Sequence, residues 1–162
     1  MMSSIRLFFF VIAIAGLQSS CKKDYIYEVT DVTVTQPGGS KDNVKTTTEF
    51  ISIVYSDLFN TIIPTDTLLY VQQAYEAFGD KKLIEDRIVR HFLNSPSVQI
   101  PSDATMRANV PLFVDETIQK FFNRKPDAFE NYFISNIISS ATTITPMMVY
   151  YACMTSIEYR YY

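Results

Sequence analysis

The chain has no tryptophan, one histidine, two cysteines and four glycines in 162 residues. So few glycines leave no phosphate-cradling loop, and Gly-x-Ser-x-Gly is absent. One histidine cannot build a zinc site alone, and the chain lacks Cys-x-x-Cys, His-x-x-x-His and an acidic calcium loop. Without Cys-x-x-Cys-His, covalent haem in its ordinary form is excluded. The charge of −3, from 14 Lys+Arg against 17 Asp+Glu, lacks the clustered positive charge that phosphate binding needs, so nucleic acid is not an expected partner. No cofactor, metal site or catalytic residue is expected, and the chain does not read as an enzyme.

The reactive residues that remain are scattered. Cys153 lies in Tyr150-Tyr151-Ala152-Cys153-Met154, where a small buried hydrophobe is the simplest role; a nucleophilic thiol would need the lone His91 as its base. Haem held by His91 and Met147 or Met148 would use methionines that, beside aromatics, ordinarily fill core. The adjacent carboxylates Glu85-Asp86 and Asp115-Glu116 read as solvated helix faces rather than acid/base couples. Arg87, Arg90 and His91 share a helix with Glu85 and Asp86, where i,i+3 and i,i+4 pairing accounts for them without an anion site.

The most specific signal is at the N-terminus. Arg6 precedes an uninterrupted apolar run, Leu7–Leu17 (LFFFVIAIAGL), and Gln18-Ser19-Ser20 leads to Cys21. As a helix the run covers about 16 Å, at about 1.5 Å per residue, and cannot cross a ~30 Å hydrocarbon core. Residues 1–20 therefore read as a signal peptide. Small residues before Cys21 and Lys22-Lys23-Asp24 after it resemble the lipobox of bacterial lipoproteins, whose cysteine receives diacylglycerol before the signal is cut. Gln18 stands where that pattern usually has Leu, with Leu17 one place earlier, as in the looser boxes of some gram-negative lineages. The resemblance implies Cys21 as the lipid attachment site, acylated with palmitate-like chains, and the membrane as a partner through that anchor. It also implies an outer-membrane or cell-surface location. Two or three acyl chains, at ~0.8 kcal/mol per buried CH₂, would hold the protein there in effect permanently. Lys22-Lys23-Asp24 reads either as an export signal to the outer leaflet or as a solvated tether, and an ordinary secretory cut near Ser20 is the alternative to lipidation.

Removing residues 1–20 deletes one charged side chain, Arg6, and takes the net charge from −3 to −4. What remains is long enough to bury about 68–70% of its unfolded surface around one core. With 12 Phe and 11 Tyr, that core should be aromatic and aliphatic. Once Cys21 is acylated, Cys153 has no partner for an internal disulfide. Residues 21–46 are rich in Thr and Val and broken by Gln36-Pro37-Gly38-Gly39-Ser40, a turn in which Pro fixes φ and Gly supplies positive φ. They read as a lipid anchor and extended tether that docks in part on the following domain.

From Thr47 the apolar spacing becomes helical. Thr46 and Glu49 form a capping box ahead of Phe50, Ile53, Val54, Leu58 and Ile62, and Pro64 ends this first helix. Asp66 is placed to cap a second, through Leu69, Tyr70, Ala74 and Phe78, closed by Gly79. Asp80 opens a third through Leu83, Ile84, Ile88 and Phe92. A polar spacer, Ser95 to Asn109, leads to a fourth that begins at Pro111 and carries Val114, Ile118, Phe121 and Phe122 on one stripe. Asp127 caps a fifth through Phe129, Tyr132, Phe133, Ile137 and Ile138. Thr145-Pro146 starts a sixth, carrying Met148, Tyr151, Ala152 and Thr155 toward Glu158 and Tyr159. The two triplets read as a duplication: Phe50, Phe59 and Asn60 recur as Phe113, Phe122 and Asn123 at an offset of 63, and Ser95 recurs as Ser156 at 61. The expected fold is all-α, with two three-helix repeats (about 47–95 and 110–162) forming one helical domain over 47–162.

The segment Ile118 to Tyr159 resembles a helical domain of unknown function found in secreted and surface-attached bacterial proteins. The residues that carry this are Phe121-Phe122-Asn123-Arg124-Lys125-Pro126-Asp127, Tyr132-Phe133 and Ser156-Ile157-Glu158-Tyr159. Asn123 and Glu130 replace glycines of that pattern. Similar Arg-x-Pro and Ser-x-Glu-Phe elements occur in helical domains of some cytochrome-associated bacterial proteins. The resemblance implies a fold and no established chemistry. Physically, Arg124 and Glu158 are a candidate charge pair stapling the turn to the last helix. Tyr159, Tyr161 and Tyr162 crowd the C-terminus, where they either pack back on the bundle or offer an aromatic surface to a partner. The expectation is a membrane-anchored, non-enzymatic lipoprotein that binds or assembles an unidentified envelope protein. The alternatives are an accessory subunit of an envelope enzyme complex, with a redox link, and a hydrolase joining His91 to a carboxylate and a hydroxyl.

Overall fold

Seven α-helices occupy residues 41–161, the part of the chain that the computed structural model describes. They are α1 Thr47–Phe59, α2 Thr65–Ala77, α3 Lys81–Leu93, α4 Asp103–Ala108, α5 Val110–Phe122, α6 Ala128–Ser140 and α7 Pro146–Met154, followed by a 3₁₀ turn, Glu158–Arg160. The signal segment, Cys21, the tether as far as Ser40, and Tyr162 lie outside the described residues. The described part is all-α.

Six of the seven helices start on a side chain that accepts a hydrogen bond from the first turn. Thr46, Asp80, Ser102, Asn109, Asp127 and Thr145 accept from the N–H groups of Glu49, Leu83, Thr105, Leu112, Glu130 and Met148. Each such cap satisfies a donor the helix leaves orphaned, for about 1 kcal/mol. The exception is α2, which starts after Pro64 with no side-chain cap. Asp66 sits inside its first turn, where it faces the positive end of the helix dipole instead of capping it. Phe78, in extended conformation, ends α2 before Gly79 is reached.

The duplication is visible in the backbone. α1 and α5 are both 13 residues long and begin 63 positions apart, at Thr47 and Val110. The same length and spacing relate α2 to α6, from Thr65 and Ala128. Asn60 and Asn123, closing α1 and α5, have φ of 51° and 52°, and among the described residues they are the only non-glycines with positive φ. Asparagine is the side chain after glycine that best tolerates this left-handed cap, which explains its recurrence.

In the first repeat α1, α2 and α3 pack on one another; in the second, α5 packs on α6 and α7; and α3 against α7 joins the halves. Two polar interactions tie the halves together at the join. Tyr151 donates its hydroxyl hydrogen to Asp86, and these residues are 65 positions apart, as are the starts of α3 and α7 at Lys81 and Pro146. Asp57 and Lys120, 63 apart, lie close enough for Asp57 to raise the lysine's affinity for its proton.

The core runs through this join, with Phe50, Val54 and Leu58 from α1, Phe113, Ile118 and Phe121 from α5, and Tyr159 beyond α7. At about 1.5–3 kcal/mol per large side chain, its burial drives folding.

Several faces differ from the periodic reading. α1 ends at Phe59, so Ile62 is 88% exposed and Ile63 is buried instead. The stretch Ser95 to Asn109 contains α4, whose Met106 is fully buried. α2 turns Val71 and Tyr75 inward and leaves Leu69, Tyr70 and Phe78 exposed; α6 buries only Ile138. α7 stops at Met154 and packs Tyr150, Cys153 and Met154 inward, while Met148 faces solvent. At the other end of the domain's chain, residues 41–46 lie along the C-terminus. Val44 forms an isolated antiparallel bridge with Tyr161, and the Lys45 N–H donates to the Arg160 carbonyl at 2.8 Å.

Candidate functional site

Arg124 follows the left-handed Asn123 and reaches two carboxylates. Its Nε and Nη2 donate to the two oxygens of Glu158 at 2.7 and 2.8 Å. Its Nη1 and Nη2 donate to those of Glu130 at 2.6 and 2.8 Å. Lys41 Nζ adds a contact to Glu158 at 3.1 Å and donates to the Phe122 carbonyl at 2.7 Å. Burial alone would raise the Glu158 pKa, but hydrogen bonds from Arg124 and Lys41 outweigh it and hold the carboxyl below its ordinary range. Bonds to Glu158 and Glu130 make Arg124 a still weaker acid. The cluster ties the α5–α6 turn, the first turn of α6 and the C-terminal 3₁₀ turn together. Glu130 is its unforeseen member, although a carboxylate six residues after Arg124 and just past an Asp127 cap was a usable signal.

Tyr159 is a core residue, not a partner surface. It is 0% exposed, with ring centroids 6.2 Å from Phe50 and 5.9 Å from Phe121, both edge-on. Its hydroxyl donates to Asp57 Oδ2 at 2.6 Å, and Lys45 Nζ lies 4.2 Å from its ring centre while donating to its carbonyl. Burial pushes the Asp57 carboxyl up and the Lys45 and Lys120 amines down. Burial also pushes the Tyr159 hydroxyl far up, with Asp57 adding to it. The chain folds back here because α7 ends at Met154, where Ser156 Oγ donates to the Cys153 carbonyl at 2.7 Å and accepts from the Tyr159 N–H at 3.3 Å. Tyr161 is half-buried in its bridge with Val44, and Tyr162 lies outside the described residues.

The neighbouring carboxylates on α3 go separate ways. Glu85 lies 3.1 Å from Arg160 Nη2 and accepts from Tyr75 Oη at 3.1 Å. Asp86 accepts from Tyr151 and from Arg90 Nε at 2.9 Å. The Tyr151 bond, with help from Arg90, lowers the Asp86 pKa. On α5, Asp115 accepts from Asn131 Nδ2 at 2.6 Å. Cys153 is buried and burial pushes its thiol up to about 12, the reverse of an activated nucleophile. His91 and Arg87 are exposed on α3, and Met147 and Met148 are exposed at the start of α7. Among the described residues no group of three or more His, Cys, Asp or Glu side chains could hold a metal ion. A shallow hollow of about 470 Å³ is lined by Val98, Ile100, Pro101, Pro146 and Met147, with Asp103 and Thr145 beside them.

The clearest surface features are the middle helices of the repeats. Leu69 and Tyr70 on α2 are 52% and 75% exposed, and their counterparts 63 positions on, Tyr132 and Phe133 on α6, are 71% and 53% exposed. Phe129, 74% exposed, stacks on Phe133 with centroids 6.0 Å apart. Among the described residues no helix is long and apolar enough to cross a membrane. Comparison with protein-family models, curated proteins and solved structures finds no match to the chain.

Proposed function

We propose that the protein is an envelope lipoprotein, acylated at Cys21, whose helical domain is a non-enzymatic module that binds or assembles another envelope protein at the outer membrane or cell surface. The observation that carries this reading is the exposed apolar pair Leu69-Tyr70 on α2, whose neighbours Val71 and Tyr75 on the same helix turn into the core. Contiguous exposed apolar surface with a polar rim is what interaction sites present. Around Leu69 and Tyr70 that rim is Asp66, Gln73 and Glu76, which suits a protein partner. The signal segment and Cys21 support the location.

A photo-crosslinking residue at position 70, compared with one at the exposed Thr48 on α1, tests the reading in intact cells. The expected result is a discrete crosslinked envelope protein from position 70 and none from position 48. The same products from both positions, or none from either, would overturn it.

A further inference from the structure

We propose that the aromatic face of α6 is a membrane-docking surface, which lays the second repeat on the headgroup region of the bilayer that carries the lipid anchor. The proposal rests on the reading of Cys21 as acylated. Phe129, Tyr132, Phe133 and Ile137 stand at positions i, i+3, i+4 and i+8, so they share one helix face, and all four are exposed. A face of aromatic and aliphatic side chains is what an interfacial helix buries at the boundary of headgroups and acyl chains.

Charge separates this face from its counterpart. The only charged residue of α6 is Glu130, and Arg124 donates to both its oxygens. The remaining polar residues are Asn and Ser, which lie at an interface without the cost of desolvating an unpaired charge. α2 carries exposed Asp66 and Glu76 beside Leu69 and Tyr70, a poorer match to lipid.

Area argues against a second copy as the occupant. Phe129, Tyr132 and Phe133 are 74%, 71% and 53% exposed, and at about 200 Å² per aromatic side chain they offer about 400 Å². A stable protein interface takes about 800 Å² from each partner. A weak face suffices for a surface to which the chain is already tied, because tethering makes the contact intramolecular. The tie arrives in the right place. Lys41 is bonded to Phe122 O and to Glu158, the carboxylate that Arg124 clamps together with Glu130 of α6. A chain running from Cys21 thus meets the domain beside the start of that helix. Twenty residues reach at most about 70 Å, at about 3.5 Å each, ample to bring the face to the bilayer.

The absence of tryptophan allows a direct test. Acylated full-length Tyr132→Trp and Leu69→Trp proteins are reconstituted in phosphatidylcholine vesicles containing lipids brominated high on the acyl chain. Tyr132→Trp should be quenched about twofold or more and shifted to the blue, and Leu69→Trp should change little. Adding Phe129→Ser and Phe133→Ser to the Tyr132→Trp chain should abolish the quenching, and both sites are exposed enough to leave the fold intact. Equal quenching of the two reporters, or none, overturns the proposal. A blue shift without quenching, accompanied by crosslinked dimers, overturns it in favour of a second copy. A chain without acyl mass would instead defeat the anchor reading; the unacylated chain mixed with the same vesicles then decides the face, quenching at position 132 sustaining it and its absence overturning it.

Discussion

Replacing Tyr159 separates a core tyrosine from a partner-binding one. Tyr159→Phe keeps the ring between Phe50 and Phe121 and removes one hydrogen bond, the 2.6 Å contact to Asp57. Asp57 is half-buried, so losing a charge-assisted donor costs about 1.5–3 kcal/mol. Tyr159→Ala also opens a cavity where a side chain was fully buried, for about 3–5 kcal/mol. Two edge-to-face contacts go with it, at about 0.5–1.5 kcal/mol each. The alanine variant thus loses much of the ~5–15 kcal/mol that stabilises an ordinary domain. Urea unfolding followed by circular dichroism at pH 7 is the assay. With a slope of about 1–3 kcal/mol/M, the phenylalanine variant should lose about 1 M in midpoint and the alanine variant should show little folded baseline. An alanine variant as stable as wild type, with partner crosslinking lost, would show that Tyr159 is not a core residue and restore the C-terminal tyrosines as a surface.

Arg124→Met should cost about 1–3 kcal/mol in the same assay, because it leaves Glu130 and Glu158 facing each other half-buried, and Arg124→Lys should not rescue it, since an ammonium cannot serve both carboxylates in fork geometry. Asn123→Gly should raise the melting temperature slightly, while Asn123→Val should lower stability by about 1–2 kcal/mol, because φ at this cap is 52°. Burial raises the Asp57 pKa, so its contribution is favourable below the ordinary carboxylate range and is lost as pH rises through the folded value. Asp57→Asn, which retains an acceptor for Tyr159 but cannot titrate, should therefore remove this pH dependence, seen as a flatter stability profile in urea unfolding at stepped pH. Glu158 has the opposite sign: its lowered pKa contributes stability above the ordinary carboxylate range, lost as pH falls through the folded value, so Glu158→Gln should flatten the acid limb of the stability profile.

Helix starts were legible because caps are short-range. Thr46, Asp80, Asp127 and Thr145 each sit where the spacing placed them. The duplication was legible at Phe59-Asn60 and Phe122-Asn123, for the physical reason that both asparagines close a helix in the left-handed region. Helix faces were legible only where one stripe is apolar, as in α5 with Val114, Ile118, Phe121 and Phe122. α6 has apolar residues on two stripes, Phe129-Tyr132-Phe133-Ile137 and Ile134-Ile138; the packing of α5 against it selects the second, and nothing local to α6 encodes that choice. α4 escaped notice because six residues with one large apolar side chain, Met106, carry no period. Arg124 and Glu158 could be named from their motif, whereas Glu130 and Lys41 join them only through the fold. The exposure of the α6 aromatics, on which the candidate surface rests, followed from that same undecided choice of stripe.

The most direct test of the account as a whole is the intact mass of the protein extracted from membranes, wild type beside Cys21→Ala. The expected result is a wild-type chain that begins at Cys21 and carries acyl mass, and a variant that carries none. A wild-type chain cut before residue 21 without acyl mass would contradict it and leave the helical domain free of the bilayer.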